Sequence, residues 1–225
     1  MSTYPYKNFE HAVVAVDVVI FTVIEGELKI LLLKLQEPPF ADKWAVPGGL
    51  VKIDESVDEA ARRHVWEKAG VKDAYLEQLY TFGEPGRDPS GRVISVAYYA
   101  LIPCSRLHPR TTSRYADIQL ISCSRLPPLG YDHDQIIRTA TERLKSKLGY
   151  TNIIYSLIPR EFTFTELQTM YEIILGRKLD KRNFRRKIKL LGLIKSLGKR
   201  RVGESHRPAQ VFTFKHRSPQ VVEIL

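Results

Sequence analysis

Cysteine is scarce: only Cys104 and Cys123 occur in 225 residues. Two thiols do not make the disulfide framework of a small secreted domain, and they fit a chain kept in a reducing cytoplasm. Long apolar runs are missing as well. The stretch AVVAVDVVIF is broken by Asp17, and nothing approaches the roughly 20 apolar residues that span a bilayer. No basic-then-apolar leader follows Met1, so no export signal is expected and the expected location is the cytoplasm. What is present, 44% hydrophobic and 27% charged residues, is the composition of a soluble globular protein with room for one large domain or two modest ones.

Charge is unevenly placed. The net charge is +10, yet residues 177–217 hold 15 Lys and Arg against Asp180 and Glu204, a balance of +13. The remainder carries 20 basic and 23 acidic residues, or −3. A block of this kind meets phosphate, a membrane or an acidic partner, or is a solvated basic face. The chain offers no aromatic stacking platform of the kind that reads RNA and no exposed apolar face suited to lipid, so no membrane partner is expected.

Residues 49–71 read GLVKIDESVDEAARRHVWEKAGV. Ser56 followed by Glu59 is a capping-box pair, which predicts a helix from there to about Gly70. Positions 64, 67 and 68 then share a helical face about 100° wide. Hard divalent cations want clustered carboxylate oxygens, and this face offers Glu67 beside an imidazole and an ammonium. The segment resembles the Nudix box, G-x5-E-x7-R-E-U-x-E-E-x-G-U with U apolar: Gly49, Glu55, Arg63, Val65, Glu67, Gly70 and Val71 are in register, and His64 and Lys68 replace two glutamates. The resemblance implies acids that hold Mg²⁺ on a diphosphate and activate water. With His64 and Lys68 in place, hydrolysis is expected to be absent or weak and no cofactor is required. Mg²⁺ would be bound weakly, by Glu67 if by any residue. Glu55, Arg63 and Glu67 then remain as a vestigial box of hydrogen-bond and ion-pair partners. Lys68 is a candidate contact to a ligand phosphate or to Glu67. His64 reads as a substituted surface or site residue, since no second histidine stands at ligand spacing.

Around the box, residues 12–24, 28–35, 44–51, 73–82, 92–102 and 116–122 read as strands, and 132–148 as an amphipathic closing helix with Ile136, Ile137, Ala140, Leu144 and Leu148 on one face. The pattern changes near residues 149–156. Thr163 with Glu166 opens a helix through about residue 175, Gly176 ends it, and Asp180 caps another over 181–194. The stretch GKRRVGESHRPAQVFTF reads as a basic-tipped hairpin, with Val211 and Thr213 opposite Phe212 and Phe214. Helix, turn, helix and hairpin make a winged helix-turn-helix. The expected fold is thus α+β: an α/β/α sandwich like that of Nudix proteins over 1–150, and a winged helix-turn-helix over 151–225, a DNA-binding architecture.

On the 181–194 helix, Phe184, Ile188 and Leu191 share one face, and Arg182, Arg185, Arg186 and Lys189 lie opposite. This suits a recognition helix in the major groove, with Lys181 at its start. Arg182 and Asn183 are best placed for base edges; Arg185, Arg186 and Lys189 for phosphates. Arg207, beside Pro208 in the wing, is a candidate for the minor groove.

A degenerate Nudix domain followed by a winged helix resembles the Nudix-related transcriptional regulators of the NrtR type. The landmarks are WAVPGGLV (44–51), GRDPSGRVISVAYYAL (86–101), YDHDQII (131–137), FTFTELQTMYEIILGRKLDKRNFRRK (162–187) and HRPAQVFTF (206–214). The resemblance implies a homodimer that reads a palindromic double-stranded operator, represses genes of NAD metabolism and is released by ADP-ribose. In the loop GEPGRDPSG, Arg87 and Arg92 can offer guanidinium groups to phosphate, or form structural ion pairs. Asp88 can face a ribose hydroxyl or cap the loop at Pro89. Phe82 and Tyr98 could stack a base, though strand aromatics are usually core. Two alternatives stay open: a regulator sensing a pentose such as arabinose, which the loop motif does not separate, and an active Mg²⁺-dependent ADP-ribose or nucleoside-diphosphate hydrolase.

Overall fold

The computed structural model describes residues 11–111, 115–203 and 206–225, without the side chains of 202–207. The first half is one seven-stranded mixed sheet. Its strands are β1 (Val13–Ile24), β2 (Glu27–Leu35), β3 (Trp44–Ala45), β4 (Gly48–Leu50), β5 (Tyr75–Phe82), β6 (Val93–Leu101) and β7 (Tyr115–Ser122). The order is β3-β2-β1-β6-β5, with β4 on β1 and β7 on β2. Strands β1 and β6 run parallel from Val13 beside Val93 to Phe21 beside Leu101; the other pairs are antiparallel. The expected strand over 44–51 is two short pieces on different partners, because Pro47 supplies no N–H to a ladder.

Helices cover both faces, which explains why β1 reads as a near-continuous apolar run. Val16, Val18 and Ile20 meet Ala60, Ala61, Val65 and Ala69 of α1 (Val57–Ala69). Val19 and Phe21, pointing the other way, meet Ile136, Ile137, Ala140 and Leu144 of α2 (His133–Tyr150). Helix α1 begins as the sequence predicts, with the reciprocal Ser56–Glu59 capping box, and ends at Gly70, whose φ of 69° lets its N–H reach Trp66. This is the expected α/β/α sandwich.

The second half holds β8 (Phe162–Thr163), α3 (Phe164–Leu175), α4 (Lys181–Leu190), β9 (Ile194–Gly203) and β10 (His206–Phe214), with sheet order β8-β10-β9. Thr163 and Glu166 form the second capping box and Asp180 caps α4. Helix α4 is shorter than the expected 181–194: Gly192 turns left-handed at φ 61°, and Ile194 already belongs to β9. The expected alternation in the wing also fails. A register shift between Gln210 and Phe212 leaves Val211 and Phe214 both in the core.

One apolar cluster runs from the α2 side of the sheet into the winged helix, through Leu148, Ile153 and Ile154 to Phe162, Leu167, Tyr171 and Phe184. The C-terminal tail closes the seam. Val222 N–H bonds Tyr150 O at 2.9 Å, Ile224 N–H bonds Gly149 O at 2.7 Å, and Glu223 approaches Lys187 of α4 at 3.7 Å. Among the described residues, no helix is long and apolar enough to cross a membrane.

Candidate functional site

A cavity of about 730 Å³ opens where the box helix, β1, β4 and the loops at 35–38 and 87–88 converge. Its deepest carboxylate is Asp17, in a strand covered on both faces. Asp17 is 6% exposed and has three partners: Ser95 Oγ at 2.6 Å, Arg87 Nη2 at 3.2 Å and His133 Nε2 at 3.4 Å. The Val46 N–H donates to His133 Nδ1 at 3.2 Å, which makes Nδ1 the acceptor and turns the Nε2 hydrogen toward Asp17. Burial raises the Asp17 carboxyl, but His133, Ser95 and Arg87, in that order, outweigh it and hold the group at about 2. Gly48 lies so close that a Cβ there would stand 2.4 Å from Asp17 Oδ1 and 2.5 Å from Val16 O.

The box residues divide into two sets. Glu55 and Arg63 staple the 50–55 loop to α1: Arg63 Nε reaches Oε2 at 2.9 Å and Nη2 reaches Oε1 at 2.6 Å. Arg63, then the Lys52 N–H, hold the Glu55 carboxyl at about 2. The other set faces the cavity. Glu67 keeps 42% of its side chain exposed, 3.6 Å from Arg63 and 3.9 Å from His64 Nδ1. His64 is 6% exposed, so the surface reading of this residue is corrected: the close backbone of β4 covers it, and a Cβ on Gly49 would stand 3.0 Å from its Cε1. Neither ring nitrogen has a hydrogen-bond partner among the described residues. Burial, reinforced by Arg63, draws the imidazole down to about 4, so it is neutral at neutral pH. Lys68 is 4% exposed, with its ammonium 4.4 Å from the centre of the Tyr115 ring.

This donor set does not fit Mg²⁺. Among the described residues, no three His, Cys, Asp or Glu side chains gather at metal-holding distances. Glu55 and Asp17 are committed to other partners, and an ammonium stands where a hard cation needs oxygen.

The loop candidates separate in the same way. Arg87 lines the cavity, but its guanidinium is occupied: Nε and Nη2 reach Asp132 at 2.9 and 2.6 Å, and Nη2 also reaches Asp17. Its ion-pair reading therefore describes it. Asp88 lines the cavity and caps its loop through the Ser90 N–H at 2.8 Å. Three candidates are corrected. Arg92 is exposed away from the cavity and donates to Gly83 O at 2.7 Å. Phe82 is buried in the core on the α2 face. Tyr98 is buried under α1, where its hydroxyl bonds Asp58 at 2.5 Å. Among the described residues, the tyrosine rings that line the cavity are those of Tyr115 and Tyr131. Sequence reasoning missed both, along with Asp17, Asp132 and His133. The signal that could have found Asp17 was a carboxylate interrupting an apolar strand, which demands a partner.

In the winged helix, Phe184 and Ile188 of α4 are buried, and Phe184 meets Tyr171 edge-on at 5.2 Å. Lys181, Arg182, Asn183, Arg186 and Lys189 are exposed, and Asn183 Oδ1 accepts from Arg186 at 3.3 Å. Arg185 is half-buried against α3, 3.5 Å from Thr165 Oγ1 and 5.6 Å over the Phe164 ring. Lys189 lies 5.9 Å from the same ring. Arg207 belongs to β10, but its side chain lies outside the described residues. The arrangement presents a row of cations on one side of a helix whose other side is docked, a shape suited to a nucleic-acid groove.

Two family descriptions match. The NUDIX domain covers residues 13–140, and the NrtR DNA-binding winged helix domain covers residues 154–214. A protein of Acinetobacter baylyi described as an ADPR responsive transcriptional repressor NtrR is 34% identical over 217 residues, 95% of this chain and 86% of that protein. The crystal structure of Shewanella oneidensis NrtR with a 27mer DNA superposes with a TM-score of 0.79 at 32% identity, over 90% of this chain and 93% of that one. The NUDIX domain of the same Shewanella protein, complexed with ADP ribose, matches at a TM-score of 0.55 and 32% identity, over 64% of this chain and 99% of that one.

Proposed function

This chain belongs to the NrtR family of Nudix-type transcriptional regulators, and we propose that it represses transcription by binding operator DNA through α4 and the wing, and that ADP-ribose in the α1 cavity releases it. One observation carries this reading. The chain joins a ligand-sized cavity, whose box acids other than Glu67 are replaced or engaged, to a helix with five exposed polar and cationic side chains, Lys181, Arg182, Asn183, Arg186 and Lys189. The first element suits binding without turnover and the second suits a DNA groove.

The repressor works as a cytoplasmic homodimer on a palindromic site in genes of NAD metabolism. Two recognition helices must stand about one helical turn of DNA apart, so a ligand that changes their spacing lowers affinity. The tail that joins Gly149 and Tyr150 at the end of α2 to Lys187 of α4 gives the cavity domain a physical hold on the recognition helix.

Fluorescence anisotropy on duplexes tiled from the gene neighbourhood, with ADP-ribose titrated into each complex, tests the proposal. Specific binding released by ADP-ribose is the expected result. Specific binding indifferent to ADP-ribose but released by arabinose would overturn the effector. Steady AMP release with Mg²⁺, abolished in Glu67→Gln, would make the chain a hydrolase instead.

A further inference from the structure

We infer that His64 and Lys68 form a metal-free receptor for the diphosphate of the ligand, so that the cavity binds its effector without a divalent cation. The inference rests on the proposed ADP-ribose reading and says how that ligand's charge is met.

His64 and Lys68 stand one helical turn apart on α1, on the face that lines the cavity. In the Nudix pattern the same positions carry acids for the metal. His64 has both ring nitrogens unpartnered among the described residues while its side chain is only 8% exposed. A buried polar group in that state calls for an absent partner, and His64 is among the residues that line the cavity. A neutral imidazole presents one N–H donor and one acceptor nitrogen, enough to donate to a phosphate oxygen and accept from a ligand hydroxyl. Gly49, at φ 154°, passes so close to the ring edge that a Cβ there would stand 3.0 Å from Cε1 and 3.2 Å from Nε2.

Lys68 supplies the charge. Its ammonium is held against the Tyr115 ring, which keeps it within the cavity wall. A Mg²⁺ ion would instead need several carboxylates. Of the acids near the box, Glu55 is locked by Arg63 and Lys52, and Asp17 by Arg87, His133 and Ser95. Of the box acids among the described residues, Glu67 remains, and Arg63 and His64 flank it. The same substitutions that exclude the metal thus install an imidazole and an ammonium in its place.

Calorimetry on the full chain tests this, with ADP-ribose titrated in EDTA and again in Mg²⁺. The expected affinities agree within about twofold. Lys68→Met should weaken binding by about tenfold in both buffers. The double change His64→Glu with Lys68→Glu, which restores the acidic pattern, should lose binding in EDTA and recover it with Mg²⁺. Wild-type binding that disappears in EDTA and returns with Mg²⁺ would overturn the inference. Failure of ADP-ribose in both buffers would remove the effector reading instead, and inorganic pyrophosphate in EDTA would then decide. Movement of the His64 ring resonances in NMR spectra on adding pyrophosphate supports the receptor, and unmoved resonances overturn it.

Discussion

Arg87 and Asp132 are joined by two parallel hydrogen bonds, Nε to Oδ2 at 2.9 Å and Nη2 to Oδ1 at 2.6 Å. The pair ties the loop between β5 and β6 to the first residue before α2, and Asp132 uses its side chain on Arg87 rather than capping the helix. Nη2 continues to Asp17, so one guanidinium serves two carboxylates in the cavity floor.

Arg87→Ala should therefore destabilise the fold strongly. It strips both carboxylates of their cation and leaves the buried Asp17 short of a partner, a loss of about 3 kcal/mol or more. Arg87→Lys should recover only part of it, because an ammonium cannot form the fork. Urea unfolding measures this, and a loss below about 1 kcal/mol would mean that the pair is screened by solvent.

Gly48→Ala tests how closely β4 must approach β1. Its Cβ would meet Asp17 Oδ1 at 2.4 Å and the Val16 carbonyl at 2.5 Å, and the second contact is backbone that cannot rotate away. The strands must part or the Asp17 cluster must shift, at a cost of roughly 1–3 kcal/mol. A lowered Tm with weaker ADP-ribose binding is expected, and an unchanged Tm would show that β4 yields freely.

His64 gives a pH dependence of defined sign. Burial, then the Arg63 charge, lowers its folded value from 6.5 to about 4, against the opposing pull of Glu67 and with Lys68 adding to the descent. The unfolded chain therefore takes up a proton at a pH where the folded chain does not. The stabilising contribution is complete above 6.5 and is lost as pH falls toward 4. Thermal unfolding across this window should fall more steeply for the wild type than for His64→Gln. Parallel curves would place the imidazole in contact with water.

Features set by neighbours in sequence were legible, and features set by distant partners were not. Both capping boxes, Ser56 with Glu59 and Thr163 with Glu166, are three-residue spacings, and both form as read. The end of α4 failed because Gly192 can be tolerated in a helix or turn left-handed, and only the pairing of Ile194 with Phe214 decides between them. Phe82 and Tyr98 lie in the core, as strand aromatics usually do, and not at the ligand, because strand alternation shows that faces differ without showing which face carries a ligand. Asp17, Arg87 and Asp132 meet across 70 and 45 residues of sequence, a distance that local patterning does not bridge.

The recognition helix makes the last prediction. Arg186 is exposed on α4 and linked only to Asn183 among the described residues, so its removal should leave the fold intact. If it holds a DNA phosphate, Arg186→Ala should weaken binding to every duplex alike and make the log–log salt slope shallower by about 0.9. Asn183→Ala should act differently: a base-edge contact is worth about 1–3 kcal/mol of discrimination, so the specific duplex should lose more than a scrambled one. Arg185→Ala should lower stability as well as affinity, since its side chain also packs on Phe164 and reaches Thr165. Anisotropy titrations at several salt concentrations, with thermal melts of each variant, separate the three roles. An Arg186→Ala protein with unchanged affinity and slope would remove this face of α4 from the DNA interface and leave the wing to carry it.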